Sequence, residues 1–498
     1  MGTKRLIGRI LDLAADSVPK RIAATLDGRS RTFDDCQRAA NRTAHALAQL
    51  GVKRGERMMF WSNISLRNLD VYIGTVRLGA AFVPLNPDFS TTEARDMIAY
   101  IRPCLLVVDG AHVEMAAPLA REAGVPIAVV EKSAGALPGA DLDALTARCA
   151  DTPVDVPLDE EDIEAMFLTS GSTGKPKAVM VSHRASWLRA TYAPACGGTV
   201  SGGGGEVCMF PLFHFAGWTF LLAAWAHRRA IHLVRKADAE TLLGEVERWR
   251  ASYLYAIPAV WERILACTRT FDTSSLLQAA TGTSCVEPEL LQRVLARFPG
   301  ARTSVHYGST EIGRGLSIDH EDVFRKPYSV GLSPPGLESK IIDGELCQRA
   351  DTMMSGYFEL AEQTAAAVQD GWYHTGDLAE QDDEGYYSIT GRRREIIRSG
   401  GETIAPEEVE AALTTYPGIR DVAVVGLPDT SWGELVCAAV LLEPGAAAPS
   451  VEDLRKHVSS LAAFKHPRRV VVVQDIPRTA AMNKIQRAHI RDSILGLG

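Results

Sequence analysis

The sequence predicts an α/β fold: a large N-terminal domain of layered sheets under helices, a small antiparallel β unit, and a compact α+β C-terminal domain. Three observations carry this. Short apolar runs of strand length alternate with segments whose apolar residues fall at helical spacing, the pattern of parallel strands covered by helices. Beyond Ser317 the texture changes to short strands and turns, such as Glu345–Cys347 and Tyr386–Ile389. After the basic run Arg392-Arg393-Arg394, a helix entered through Pro406 opens a new alternation, which sets a boundary near Arg394 and domains of 1–393 and 394–498.

In order, Ile22–Leu26 reads as a strand, and Arg31-Thr32-Phe33 leads into a helix through Ala39, Ala44 and Leu47 that Gly51 caps. Strands are predicted at Arg57–Trp61, Ala81–Leu85, Leu105–Val108 and Ile127–Val130, with a helix over Leu69–Leu78. Further strands follow at Tyr253–Ile257, Leu276–Thr281 and Ser304–His306. Gly197 to Gly205 holds six glycines in nine residues, a flexible connection. In the last third, strands are predicted at Val422–Val425, Val436–Leu442 and Val470–Val473, with a helix after Val451.

With 498 residues the chain exceeds one core. Its 46% apolar and 23% charged content is that of a globular protein, and a net charge of −8 argues against a general nucleic-acid binder. Nine scattered cysteines without a Cys-x-x-Cys spacing predict reduced thiols, a cytoplasmic location and no structural zinc. No apolar run has the length of a membrane span, and the residues before Asp12 do not form a secretory leader.

Thr169-Ser170-Gly171-Ser172-Thr173-Gly174-Lys175-Pro176-Lys177 has the chemistry of a polyphosphate cradle: two glycines for close backbone approach, hydroxyl donors and two lysines. It is not a Walker loop, because Pro176 and the strand-like Ala178–Val181 follow Gly-Lys. The loop joins two strands, and taken alone it reads better as a plain polar hairpin rich in turn residues. His214, among Phe210, Phe213 and Phe215, reads alone as a hydrogen-bonded core histidine, and Lys484 as a surface lysine.

Five patterns in one order decide between these readings: Thr169–Lys177, Tyr307-Gly308-Ser309-Thr310-Glu311, Tyr373-His374-Thr375-Gly376-Asp377, Gly391–Gly401 with Pro406–Glu410, and Pro477–Arg487. Together they resemble the adenylate-forming superfamily of acyl-CoA synthetases, peptide-synthetase adenylation domains and beetle luciferases, from about Leu11 to Arg487. The resemblance implies a β-barrel-like subdomain, a mobile C-terminal domain, and a two-step reaction. A carboxylic acid and Mg-ATP give an acyl-adenylate and pyrophosphate, and a thiol then takes the acyl group and releases AMP.

It further implies the site. The loop donors with Lys175 and Lys177 hold the β- and γ-phosphates, Glu311 binds Mg²⁺ and Thr310 donates to the α-phosphate. Asp377, assisted by Arg392, accepts from the ribose hydroxyls, and Tyr307 faces adenine beside Gly282-Thr283-Ser284, with Gly308 and Ser309 adjoining. His214 orients the substrate carboxylate, and Lys484 sets its charge between carboxylate and α-phosphate. Arg394 is the hinge of a domain rotation that brings Ser399-Gly400-Gly401 to the acyl-adenylate for coenzyme A.

Departures from the pattern are Asn483 for a glycine, Thr283 and Cys285 for small residues and proline, Arg394 and Glu395 at the hinge, and a short Pro335–Glu345 hairpin. The acyl pocket is expected from Phe215, Ala216, Gly217, Trp218, Ala256 and Ile257 with Gly282 and Gly308, a set without charge that predicts a hydrophobic aliphatic, alicyclic or aromatic acid. A carrier protein as acceptor, a single half-reaction, a silent nucleotide-binding regulator and a homodimer stay open at this point.

Overall fold

The computed structural model describes residues 4–132, 138–169, 176–192, 204–283, 286–392, 396–477 and 485–496. The chain divides into two compact units: residues 1–87, 98–168 and 178–391 form one, and 88–97, 169–177 and 392–498 the other. Residues 393–395, where the sequence sets the domain boundary, lie outside the described residues.

The first unit holds two eight-stranded sheets, counted over the described residues. One runs Gly313–Ile318, Arg302–Ser309, Gln278–Gly282, Tyr253–Tyr255, Glu206–Cys208, Ile231–Leu233, Ile22–Leu26, Arg29–Thr32. Its interior pairs are parallel and its two edge pairs antiparallel. The other runs Gly356–Tyr357, Lys177–Ser182, Ile163–Thr169, Ala81–Leu85, Arg57–Trp61, Leu105–Asp109, Ile127–Val130, Ala140–Asp141. Arg57–Trp61, Ala81–Leu85 and Ile127–Val130 fall where the apolar runs place them, since strands covered on both faces need unbroken apolar sequence.

Helix Phe33–Gln49 shows how local sequence sets packing. Thr32 and Asp35 form a reciprocal capping box at its start, a feature whose loss costs about 1 kcal/mol. Phe33, Cys36, Ala40, Ala44 and Leu47 are buried at helical spacing, facing helix Arg67–Arg77. There Gly74 admits the close crossing, because a Cβ on it would stand 3.0 Å from the Ala44 nitrogen.

The strand expected over Tyr253–Ile257 stops at Tyr255, because Pro258 begins helix Pro258–Ala266 with Ile257 as its extended cap. The antiparallel unit forms a third sheet in the order Ser329–Gly331, Tyr387–Arg392, Trp372–Gln381, Glu345–Ala350, Leu337–Ile342, with Val368–Gln369 against Trp372–Gln381.

In the second unit Ile419–Asp429 and Gly433–Leu442 pair antiparallel from Ile419–Leu442 to Asp429–Gly433, and Arg469–Val472 joins in parallel. Val422 and Val424 enter one apolar cluster, Ala423 and Val425 another, so both faces of this strand are covered. Lys465 is buried between carboxylates of Glu93, at 2.7 Å, and Glu408, at 2.8 Å. Among the described residues no helix is long and apolar enough to cross a membrane.

Candidate active site

Thr169 ends one strand and Lys177 begins its neighbour, with the Thr169 hydroxyl donating to the Lys177 carbonyl at 3.4 Å. The loop therefore joins two strands as its sequence predicts. Ser170 to Lys175 lie outside the described residues, as do Ser284, Arg394 and Lys484 and the side chain of Arg392.

In the first unit, parallel strands Gln278–Gly282 and Arg302–Ser309 are in register from Gln278–Arg302 to Gly282–His306. Gly282 has φ +154°, and a Cβ there would stand 2.0 Å from the His306 carbonyl, so no other residue fits. Thr283 follows with φ +70°, a left-handed conformation that a β-branched side chain strains. The second strand carries Tyr307, Gly308 and Ser309 and ends in a turn at 310–312, at the carboxyl end of the parallel pair, where open α/β sheets bind ligands.

Tyr307 Oη donates to Asp377 Oδ2 at 2.6 Å, joining the residues expected at adenine and ribose. Asp377 is buried, and its N–H donates to the Thr375 hydroxyl, which donates to the Leu346 carbonyl. Glu311 is fixed through its backbone: its carbonyl accepts from the Met354 N–H at 2.6 Å and from Arg189 Nη2 at 3.2 Å. Its Oε1 accepts from the Tyr357 hydroxyl at 3.1 Å.

Arg189, buried, also donates to the Thr352 carbonyl, and burial lowers its guanidinium to about 9. Gly313 makes room for it, since a Cβ there would meet Arg189 Nε at 2.8 Å. Neither Arg189 nor Tyr357 stands out in the sequence, because each acts through a contact distant along the chain.

His214 is the extended residue before helix Phe215–Ala226, its ring 4.4 Å from that of Phe213. Phe215 lies under the Arg189 guanidinium at 4.6 Å. The apolar lining differs from the expectation. Trp218 is core: its ring packs on Tyr72 at 4.1 Å and Phe82 at 5.6 Å, and its Nε1 donates to the Leu212 carbonyl. Two helical positions on, about 200° around the axis, Phe220 stacks on Phe210 at 5.5 Å and lies 5.2 Å from Tyr255.

Ala256 is likewise core, packed with Val260 and Trp261, because strand alternation turns Tyr255 to one face and Ala256 to the other. Gly217 serves backbone approach, a Cβ there lying 2.5 Å from the Pro211 carbonyl. Ile257 packs against the Tyr253, Tyr255 and Ala280 cluster.

A charge the sequence reading omits is also present: Arg314, paired with Gly308 across the strands, donates from Nη2 to His306 Nδ1 at 3.1 Å. Burial, with Arg314, keeps His306 neutral, so its Nε2 carries the proton and donates to Ser304 Oγ at 2.9 Å. The His306 ring stacks on Tyr255 at 6.0 Å.

In the second unit Ser399 and Glu402 pair around Gly400, φ +64°, and Gly401, φ +91°, a two-residue hairpin turn that needs positive φ at both positions. The Gly400 N–H donates to the Trp432 carbonyl at 2.8 Å.

Residues 11–358 match the profile of the AMP-binding enzyme family, and 408–482 that of the AMP-binding enzyme C-terminal domain. The chain belongs to the AMP-binding enzyme family. This AMP-binding enzyme is 31% identical to 4-coumarate–CoA ligase-like 1 of Arabidopsis thaliana, over 94% of its own length and 90% of the relative's. It is 30% identical to a feruloyl-CoA synthase of Amycolatopsis sp, over 95% and 96%. Its fold matches the amide bond synthetase McbA of Marinactinospora thermotolerans with a TM-score of 0.88 and 26% identity, covering 98% of this chain and 99% of that one. Members of the adenylate-forming superfamily thus surround it in sequence and in fold.

Proposed function

We propose that this AMP-forming acid–thiol ligase activates a hydrophobic, aromatic carboxylic acid and transfers it to coenzyme A. The observation that carries the choice of acid is the Phe210, Phe220 and Tyr255 group, with centroids 5.2 to 5.5 Å apart, beside the strand that ends at Gly282. Aromatic walls of this kind favour an aryl ring by offset or edge contact, and the 4-coumarate and feruloyl names of two relatives agree with it.

In the first step a carboxylate oxygen attacks the α-phosphorus of ATP, the bond to the β-phosphate oxygen breaks, and pyrophosphate leaves. Like charges meet here, so the protein's task is counter-charge. Lys175 and Lys177 with the Thr169–Gly174 donors restrain the leaving phosphates, Thr310 donates to the α-phosphate, and His214 and Lys484 orient and neutralise the carboxylate. Glu311, a hard oxygen donor on a backbone locked by Arg189 and Met354, suits Mg²⁺, which would add charge neutralisation at the phosphates. Asp377 and Tyr307 hold the nucleoside, with Arg392 beside the ribose.

In the second step the thiol sulfur bonds to the acyl carbon, the bond to the AMP oxygen breaks, and the thiol proton passes to solvent. Residues 394–498, hinged at Arg394, act as a mobile domain that withdraws Lys484 and presents Ser399–Gly401 to the pantetheine arm. Free thiols at the seven described cysteines fit a cytoplasmic setting.

The test is AMP release and product mass for a panel of aryl, alkyl and amino acids, each with coenzyme A, a pantetheinylated carrier protein, or an amine. Aryl-CoA formation is expected. Preference for a charged amino acid overturns the pocket assignment, amide or carrier-bound product overturns the acceptor, and no AMP with any pair overturns the enzyme reading.

A further inference from the structure

We propose that Glu345, Cys347 and His374 form a binding site for one thiol-seeking divalent cation of the zinc type, separate from the Mg-ATP chemistry. Cys347 and His374 are direct partners across antiparallel strands Glu345–Ala350 and Trp372–Gln381. Glu345 lies two residues before Cys347, on the same face. From Glu345–Leu378 to Cys347–His374 the second strand uses two residues more than the first, a bulge that includes Gly376 at φ +77°. The Gly376 N–H in that bulge donates to Glu345 Oε1 at 2.8 Å, which turns Oε2 toward His374.

The geometry is that of a ligand set. His374 Nδ1 stands 3.4 Å from Cys347 Sγ and 3.1 Å from Glu345 Oε2, and one atom from each residue falls within 4.8 Å of the others. Zinc–ligand bonds of ordinary length at tetrahedral angles put sulfur and nitrogen about 3.6 Å apart and nitrogen and oxygen about 3.3 Å apart. The observed edges are each within about 0.2 Å of these.

In the absence of an ion the Cys347 thiol is within reach of the Glu345 carbonyl at 3.7 Å, and a cation would instead take one lone pair from each of the three side chains. On binding, Cys347 loses its thiol proton to solvent, His374 coordinates through Nδ1 with its proton on Nε2, and a carboxylate and a thiolate neutralise the divalent charge in a pocket where Glu345 and Cys347 are buried. Water completes the fourth position. Sulfur and imidazole donors select Zn²⁺ or Co²⁺ over Mg²⁺.

His374 lies three residues before Asp377, and Glu345 already holds Gly376, so an ion here would clamp the strand that presents Asp377. Sequence spacing hides the site because its ligands come from two strands.

The test uses the full-length protein, stripped with a chelator and titrated with Co²⁺. One Co²⁺ per chain is expected, with a thiolate-to-cobalt charge-transfer band and four-coordinate visible bands, displaced by one equivalent of Zn²⁺ and untouched by excess Mg²⁺. Cys347→Ser should abolish the charge-transfer band and weaken Zn²⁺ at least about tenfold, and His374→Gln should weaken Zn²⁺ likewise. Zn²⁺ should raise the melting temperature of the parent protein and not of Cys347→Ser. Absence of the band, or its persistence in Cys347→Ser, overturns the proposal; neither reading depends on catalysis.

Discussion

The Tyr307 hydroxyl donates to the Asp377 carboxylate at 2.6 Å, so two residues seventy positions apart form one unit in the proposed nucleoside site. Asp377 is then set before ligand arrives. Tyr307→Phe leaves the ring and removes this donor, worth about 1.5 kcal/mol for a bond to a charged group. The KM for ATP should rise about tenfold with kcat less affected, read by pyrophosphate release at saturating acid. An unchanged KM would show that the bond does not organise the site.

Arg189→Met keeps bulk but withdraws both donors from the Glu311 and Thr352 carbonyls. The Thr352 carbonyl loses that bond at about 1–3 kcal/mol, while the Glu311 carbonyl keeps the Met354 N–H. Urea unfolding should show a loss of about 2 kcal/mol, and adenylation should fall further than stability alone accounts for. Normal adenylation in the folded variant would separate Arg189 from Glu311 positioning.

Lys484→Ala tests the two-step assignment. Adenylation should fall at least about a hundredfold, the scale for losing a charge aimed at the transition state. Thioester formation from a supplied acyl-adenylate should be largely kept. Equal loss in both steps would count against a rotating domain.

Glu164 tests linkage. It accepts from Ser186 at 2.5 Å and Tyr72 at 2.7 Å, and burial raises its carboxyl from 4.5 to about 7. The folded state therefore binds a proton that the unfolded chain releases between these values. Stability from this group is full below pH 4.5, declines as pH rises through 7, and is flat above. Relative to Glu164→Gln, the parent should lose up to about 3 kcal/mol across that window, measured by chemical unfolding at several pH values. A flat difference would mean that folding does not raise the proton affinity of this carboxyl.

In the second unit, Lys465→Met leaves the Glu93 and Glu408 carboxylates facing a buried methionine. Breaking a buried pair from one side costs about 3–5 kcal/mol. Thermal unfolding should fall markedly, and Glu408→Gln in the same chain should restore part of the loss by removing one of the stranded charges.

Much of the fold is legible because buried parallel strands need unbroken apolar runs: Arg57–Trp61 and Ala81–Leu85 are written in the sequence at their full length. The residues proposed for the nucleotide are legible because each lies in a short sequence motif. The proposed acyl wall is not. Helix Phe215–Ala226 is apolar all round, so no periodicity says that Phe220 joins Phe210 and Tyr255 while Trp218 enters the core. Arg314 is hidden for another reason: its partner His306 comes into reach through the turn that pairs Gly308 with Arg314.

Thr283 holds φ +70° at a strand end where glycine would rest at no cost. A selection for heat resistance that never assayed turnover would pick Thr283→Gly early, relieving about 1 kcal/mol or more of backbone strain. The same change would free the chain beside the residues proposed to face adenine. Laboratory evolution of this enzyme should therefore find durability and catalytic rate pulling on one residue in opposite directions.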